Sequence, residues 1–357
     1  MESLLPLSRR SRCPHSRRRI VTRSASPVII ALLLVVAALF LTRSVMEPVA
    51  FALFIVALAA PFQTRLRRVM PAGLALLATI VVTLGVLGLL VLAIVWSIGE
   101  IGHWVILNVG RFQASYTALR IWLETHDIFV PGIFAQRFEI AWITGPLRAG
   151  AASLQTVIGF IMLAFVFIVL GLKETDQIPG RITRIQGPAA SWDAVATGHL
   201  IIAKFRRYMA VRALASVLTG AATAGLAAFF GVELPLAWGV MAFAFNFLPF
   251  IGPLIVVVLM TIFAAAQFGA WQVPALVLVT VTAAQFVIGS YLEPILAGAA
   301  LSMSPFVVLL AVFFWGLLWG IPGAFLGVPI VILLITVCDQ LPGSRWVATL
   351  LSGKAGA

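Results

Sequence analysis

The chain has 357 residues, of which 62% are hydrophobic and 10% are charged, and its mean hydropathy is +1.11. This composition excludes an ordinary water-soluble protein, since such proteins need a charged exterior, and it is typical of a polytopic membrane protein. The net charge of +12 does not indicate nucleic acid, because the basic residues stand beside apolar runs, where anionic lipid headgroups are the nearer partner.

Residues 1–26 form a basic tail that contains seven arginines and one acid, Glu2. Positive charge next to a first apolar segment stays on the cytoplasmic side of the membrane. The apolar stretch is not followed by a small-residue cleavage site, so we predict an uncleaved first helix. An organellar transit peptide is the less favoured alternative.

Apolar runs between charge clusters predict an all-α, polytopic integral membrane protein with about eight transmembrane helices, two of them broken or re-entrant. The two longest runs exceed the length of a single span, and both contain Pro and Gly, as at 246–253 and 320–329. Each is therefore either a broken helix or a re-entrant hairpin. The eight runs lie near 27–42, 45–62, 71–98, 151–172, 211–231, 234–268, 271–290 and 304–338.

The charges between these runs predict which side of the membrane each segment occupies. Arg65, Arg67 and Arg68 follow the second span with no acid, and residues 173–210 are also basic, so both segments suit the cytoplasm, as do both termini. Residues 99–150 balance their charges and suit the outer side.

The predicted organisation is a tail at 1–26, three spans at 27–98, a small helical extramembrane region at 99–150, a fourth span at 151–172, a basic segment with an interfacial helix at 173–210, a transmembrane core with broken helices at 211–338 and a C-terminal tail at 339–357.

The sequence offers little support for catalysis. The four histidines lie outside the predicted spans, and no pair of them has metal-ligand spacing on one helix. The sequence contains no nucleophile motif, phosphate-binding glycine loop or dinucleotide fingerprint. We therefore predict that the protein is not an enzyme and has no cofactor, catalytic residue or metal site.

A broken helix is the first candidate site. Pro249 and Pro253 each remove an amide donor and disfavour helix at the preceding residue, with Gly252 between them. This should free the carbonyl groups near Phe245 and Pro249. A discontinuous helix can offer such carbonyls, with Asn246 beside them, to a cation or a polar solute. The alternative is a structural kink that neighbouring helices stabilise.

Glu293 is the second candidate, because residues 213–338 contain only one other charged residue, Glu233. A carboxylate at hydrocarbon depth is costly when charged, which makes it a possible carrier of a proton or cation. Gln285 precedes it and Pro294 follows, where the helix is expected to end. Alternatively, Glu293 caps an interfacial loop in water. We expect Glu233, in a short turn, to be a solvated loop residue.

Four segments together resemble the AI-2E family of bacterial membrane transporters: 246–253, 292–298, 304–310 and the glycine-rich run that ends at 328–329. The resemblance extends from about residue 28 to residue 341, and its most specific part is Glu293–Pro294. It implies an eight-helix inner-membrane permease or exporter with an insertion after the third span. It also implies that the protein forms homo-oligomers. Autoinducer-2 export, and hence quorum sensing, and sodium/proton antiport have both been associated with the family.

We therefore predict a secondary transporter of a small polar solute or ion, coupled to a proton or sodium gradient. Its partners are the lipid bilayer, the solute and the coupling cation. The alternative is a membrane scaffold or assembly factor that transports nothing. The predicted binding residues are Glu293, Asn246, Pro249, Gly252, Pro253, Gln285 and Pro294.

Overall fold

The computed structural model describes residues 25–126, 154–175, 177–186, 193–297, 303–341 and 343–352. Within these ranges the secondary structure is helical and contains no β-strand. The chain divides into two compact units, residues 1–41 and residues 42–357. The first unit contributes one described helix, α1 (Ala25–Leu41). Most of the predicted basic tail, residues 1–24, lies outside the described residues.

The second unit begins with α2 and contains the remaining helices. Its described elements are α2 (Arg43–Leu66), α3 (Ala72–Leu107), α4 (Val109–Thr125), α5 (Leu154–Glu174), α6 (Ile178–Gln186), α7 (Ala194–Phe229), α8 (Pro235–Phe245), α9 (Ile251–Phe268), α10 (Gln272–Val287), a π-helical turn (Ile288–Leu292), α11 (Glu293–Ala297), α12 (Pro305–Gln340) and α13 (Arg345–Leu351).

Six helical stretches of the described chain are long and apolar enough to cross a membrane, and a seventh is reached if the pair 158–174 and 178–185, bent by 69°, counts as one span. The prediction of an all-α polytopic membrane protein is thus confirmed, whereas the count of eight spans stays a prediction. The six stretches are Arg43–Leu66, Ala72–Leu107, Ala194–Phe229, Ile251–Phe268, Gln272–Leu296 and Pro305–Gln340.

Helices α8 and α9 form a hairpin, which we call the first hairpin. The rings of Trp238 on α8 and Phe263 on α9 lie 5.3 Å apart between centroids, although a straight helix would separate these residues by about 37 Å at 1.5 Å per residue. Near the turn, Gly252 lies so close to the carbonyl of Phe245 that a Cβ atom would overlap it. The long run at 234–268 is therefore two antiparallel arms joined at residues 246–250.

Helix α12 also folds back on itself, and its two arms form the second hairpin. The chain turns at Gly320, whose φ of 65° and ψ of −144° suit glycine and few other residues. Gly323 packs against the carbonyl of Trp315, and Gly327 packs against that of Ala311. In a straight helix Ala311 and Gly327 would lie about 24 Å apart. Small residues let the two arms approach closely, so both predicted breaks are present and both are hairpins.

Helix α7 packs against both hairpins and against α10 and α11. Its N-terminus is capped by Asp193, whose side chain accepts a hydrogen bond from the amide of Ala196 at 3.0 Å. Farther along, Gly220 of α7 and Gly239 of α8 face each other's carbonyls with no room for a Cβ atom. The predicted interfacial segment and fifth span thus form one continuous helix, which starts at Ala194.

The region predicted outside the membrane, 99–150, is described only as far as residue 126. Helix α3 continues through Gly99 to Leu107, and α4 follows directly from Val109 to Thr125. Helix α4 rests on the first hairpin, because Ser115 Oγ donates a hydrogen bond to the carbonyl of Ala265 at 2.9 Å. Glu233 is exposed in the turn before α8, as expected, and accepts a hydrogen bond from Trp104 Nε1 at 2.6 Å.

Candidate functional site

A cavity of about 770 Å³ lies among α7, the turn of the first hairpin, α9, α10, α11 and both arms of α12. Its size falls in the range of small-molecule binding pockets. The walls are mainly apolar, with a few polar side chains. The lining residues are Tyr208, Val211, Arg212, Asn246, Pro249, Phe250, Pro253, Leu254, Val257, Thr282, Gln285, Phe286, Gly289, Ser290, Glu293, Pro294, Met303, Pro305, Val308 and Val328.

An ion pair between Arg212 and Glu293 borders this cavity. Nη1 of Arg212 donates hydrogen bonds to both carboxylate oxygens of Glu293, at 2.6 and 2.7 Å. The Arg212 side chain is 7% exposed and that of Glu293 is 21% exposed, so the pair is largely removed from solvent. Charges inside apolar helix bundles are costly unless paired, and here each side chain supplies the counter-charge of the other.

A polar stripe on α7 carries one side of the site. Tyr208, Arg212 and Ser216 are spaced four residues apart and so share one face of the helix. Ser216 Oγ accepts a hydrogen bond from Asn246 Nδ2 at 3.1 Å, which ties the turn of the first hairpin to this face. The opposite side comes from Gln285, the π-helical turn and Glu293. Single π turns in long helices are frequent at functional sites.

Two of the cavity's polar side chains have unfilled hydrogen-bonding capacity. Nε of Arg212 is buried without a hydrogen-bond partner, and so are both polar atoms of the Gln285 side chain. Each buried polar group left unpaired costs about 1–3 kcal/mol. Native structures rarely leave such groups unpaired unless a ligand, a water or a function accounts for them.

The main chain at the hairpin turn is strained. Phe250 has a φ of 64° and a ψ of −49°, and it is the central residue of a γ-turn in which the amide of Ile251 donates to the carbonyl of Pro249 at 2.7 Å. The carbonyl of Phe245 likewise accepts a hydrogen bond from the amide of Leu248 at 2.9 Å. The prediction that these two carbonyls are free is therefore wrong, because the chain closes tight turns around them.

Replacing Phe250 with Gly should relieve this strain. A residue with a side chain held at such an angle costs about 1–3 kcal/mol, and the Phe250 side chain is 53% exposed, so little packing is lost. Phe250→Ala is the matched control, because it removes the same ring but keeps the strained Cβ. We expect Phe250→Gly to be more stable than Phe250→Ala by about 1 kcal/mol in thermal unfolding of the purified protein. Equal stability of the two variants would show that the turn is unstrained.

Six of the seven predicted binding residues line the cavity: Asn246, Pro249, Pro253, Gln285, Glu293 and Pro294. Gly252 does not line it but packs behind the turn against Phe245. Glu293 is also not in a loop, since residues 288–297 are helical. Among the residues that the structure describes, no group of three or more His, Cys, Asp and Glu is placed to hold a metal ion.

Arg212 is the main residue that sequence reasoning missed. The basic residues that precede it, Lys204, Arg206 and Arg207, favour an interfacial helix, and Arg212 follows them closely enough to resemble part of the same basic segment. One signal distinguishes it: Arg212 stands four residues after Tyr208 and four before Ser216, and the rest of the helix, through Phe229, carries no further charge. Such an arginine needs a partner inside the bundle.

Comparisons with known proteins agree with this architecture. A family model described as AI-2E family transporter matches residues 29–343. A putative transport protein of Borreliella burgdorferi is 29% identical over 202 residues, which are 56% of each chain. The AI-2 transport protein TqsA of Escherichia coli is 29% identical over 199 residues, 56% of this chain and 57% of that protein. A putative transport protein of Bacillus subtilis, YrrI, is 25% identical over 238 residues, 62% of this chain and 65% of that one. The chain thus spans little more than half the length of the first two of these relatives.

Proposed function

We propose that this chain, which belongs to the AI-2E transporter family, is a secondary transporter that moves a small polar solute or ion across the bacterial inner membrane. A proton or sodium gradient drives the movement. The observation that carries the proposal is the Arg212–Glu293 ion pair beside a cavity whose buried polar atoms lack partners. Ionisable side chains kept inside apolar helix bundles commonly mark solute and ion pathways.

The length of α8 supports a site at membrane depth. Its 11 residues extend about 17 Å, and the hydrocarbon core is about 30 Å thick. An arm of this length that starts near one membrane surface turns back inside the hydrocarbon core rather than at the opposite surface. The hairpin turn, with Asn246 and Pro249, then lies where broken helices of secondary transporters bind their substrates.

In this proposal the coupling cation binds at Glu293, and polar ligands come from Asn246, Gln285 and the main chain between Pro249 and Pro253. The carbonyls of Leu248, Pro249 and Phe250 in the turn already accept one hydrogen bond each. A carbonyl oxygen has a second lone pair, so these groups can still contribute to a polar site. Gly252 keeps the turn compact, and Pro294 fixes the start of α11 beside Glu293.

The solute and the topology are also part of the proposal. The name of the Escherichia coli relative gives AI-2 as what that protein transports, so AI-2 is one candidate solute. The basic residues at 1–26, at 65–68 and at 173–210 support cytoplasmic termini. The protein forms a homo-oligomer, as the family resemblance implies.

Gradient-driven flux in proteoliposomes tests the function. Purified protein is reconstituted with an internal pH dye, and ²²Na⁺ uptake and dye response are followed while a panel of polar solutes that includes AI-2 is applied. We expect solute flux that a proton or sodium gradient drives, and we expect Glu293→Gln to uncouple or abolish it. Glu100→Gln is the matched control, because this exposed acid on α3 does not line the cavity.

Flux that is unchanged by Glu293→Gln would contradict the coupling role. If no solute or cation moves while a protein partner co-purifies in fixed stoichiometry, the chain is a membrane scaffold.

A further inference from the structure

Building on the proposed transport function, we infer that the cavity binds a small organic anion with an apolar body, that Arg212 is its anchor, and that protonation of Glu293 releases Arg212 to bind it. The anion and the proton then occupy the site together. This sets the sign of the coupling: solute and proton move in the same direction.

The Glu293 carboxylate uses only part of the Arg212 guanidinium. Arg212 binds both carboxylate oxygens of Glu293 through one nitrogen, Nη1. A guanidinium carries five N–H donors on three nitrogens and stays charged at all physiological pH values. Here its Nε is buried without a partner. Glu293 therefore leaves part of the guanidinium's hydrogen-bonding capacity unused, and an anion can bind through those remaining N–H donors.

Three of the side chains that line the cavity are titratable. Among the residues lining the cavity, the titratable ones are Tyr208 and Arg212 on α7 and Glu293 on α11, whereas the lining residues of α9, α10, α12 and the first hairpin's turn are uncharged. Lys204, one turn before Tyr208 on α7, donates a hydrogen bond to Thr336 Oγ1 on α12 at 3.1 Å. Arginine does not lose its proton and tyrosine loses its own only in alkali, so Glu293 is the group that can switch.

Protonation of Glu293 removes the counter-charge of Arg212. The Arg212 side chain, 7% exposed, is then a buried cation without a counter-charge, which is strongly unfavourable in an apolar surrounding. An anion entering the cavity restores the charge balance. Protonation and anion binding therefore favour each other, and by thermodynamic linkage the effect is equal in both directions.

The uncharged part of the cavity wall determines the chemistry of the rest of the ligand. Val211, Phe250, Leu254, Val257, Phe286 and Val308 supply apolar wall. Gln285 adds an amide whose donor and acceptor atoms are both unpaired. These surroundings fit a compact molecule with one carboxylate-like head and an apolar body, because a second charge would find no partner among the lining residues.

Binding of benzoate to the full chain in lipid nanodiscs tests this inference by isothermal titration calorimetry. Benzoate has the required head and body, benzamide is its uncharged counterpart, and empty nanodiscs correct for partition into lipid. Titrations are run between about pH 6 and 8, where benzoate remains ionised, in two buffers of different ionisation enthalpy, so that proton uptake on binding is measured directly. Parallel titrations with sodium replaced by choline separate a proton effect from a sodium effect.

We expect the wild-type chain to bind benzoate more tightly as the pH falls and to take up about one proton per benzoate bound. Glu293→Gln should bind benzoate at least about tenfold more tightly than the wild type at pH 7.5, without proton uptake and without pH dependence. Benzamide should bind weakly to both. A purely structural role of the ion pair would not produce proton uptake that disappears in Glu293→Gln.

Arg212→Gln should not bind benzoate. If this variant does not fold, the double variant Arg212→Gln/Glu293→Gln, which removes both charges, replaces it and should bind benzoate no better than benzamide.

Four outcomes would each overturn the inference. They are equal benzoate affinity in the wild type and in Glu293→Gln, an absence of proton uptake in the wild type, a requirement for sodium instead, and no benzoate binding to Glu293→Gln. Binding as expected without flux in proteoliposomes would refute the transport function alone, and flux without this binding pattern would refute the inference alone.

Discussion

Replacing Arg212 with Gln is expected to destabilise the folded protein by about 3 kcal/mol, the lower end of what is found when one partner of a buried ion pair is removed. The reason is that Glu293 is left without its counter-charge in a mainly apolar cavity. Its side chain is 21% exposed, and this partial access to polar surroundings holds the cost at the lower end. Thermal unfolding of the purified protein, followed by tryptophan fluorescence, measures the effect as a fall in Tm.

The double variant Arg212→Gln/Glu293→Gln should recover most of the lost stability, because it removes both charges and lets two amides pair. The matched control is Arg181→Gln, which breaks the exposed pair of Arg181 with Glu174, 3.5 Å apart. Exposed pairs contribute about 0–1 kcal/mol, so Tm should change little. If Arg212→Gln and Arg181→Gln unfold at the same temperature, the pair beside the cavity is not a buried one.

Replacing Gly252 with Ala is expected to prevent the first hairpin from closing. A Cβ atom at this position would overlap the carbonyl oxygen of Phe245. The nearest atoms all belong to the main chain of Phe245, so no flexible side chain can move to make room. Overpacking in a well-packed core typically costs about 1–3 kcal/mol, and a clash with backbone belongs at or above the top of that range. We expect a large loss of monodisperse protein in fluorescence-detected size-exclusion chromatography.

Gly225→Ala on α7 is the control for this change. Nothing lies within 4 Å of a Cβ atom at position 225, and in a helix interior alanine is favoured over glycine by about 0.5–1 kcal/mol. This variant should therefore express at least as well as the wild type. Normal yield and elution of Gly252→Ala would mean that the arms of the hairpin are farther apart than described.

The membrane class and the two helix breaks could be predicted from the sequence because they depend on local features. Hydropathy reports which segments suit a bilayer, and Pro249 and Gly320 act on the main chain where they stand. Whether each break gives a bent helix or a hairpin depends on the contact of distant arms, as between Ala311 and Gly327. No local pattern fixes such contacts.

The candidate site was predictable in part for the same reason. Glu293 stood out because charge is rare around it, and Asn246 and Pro249 because they interrupt an apolar run. The partner of Glu293 lies 81 residues away in sequence, on a helix whose preceding turns carry enough basic residues to resemble a cytoplasmic flank. A rule that every arginine beyond the last basic cluster requires a buried acid would have found Arg212.

The aromatic contact between the two hairpins has a mechanical consequence. Phe247, in the turn of the first hairpin, lies 5.8 Å from Phe325 of the second, between ring centroids, and Phe325 lies 5.6 Å from Phe54 of α2. Densely packed rings transmit displacement because they leave no void to absorb it. Tilting either hairpin thus pushes directly on the other and on α2, so the two hairpins and α2 are mechanically coupled through Phe325.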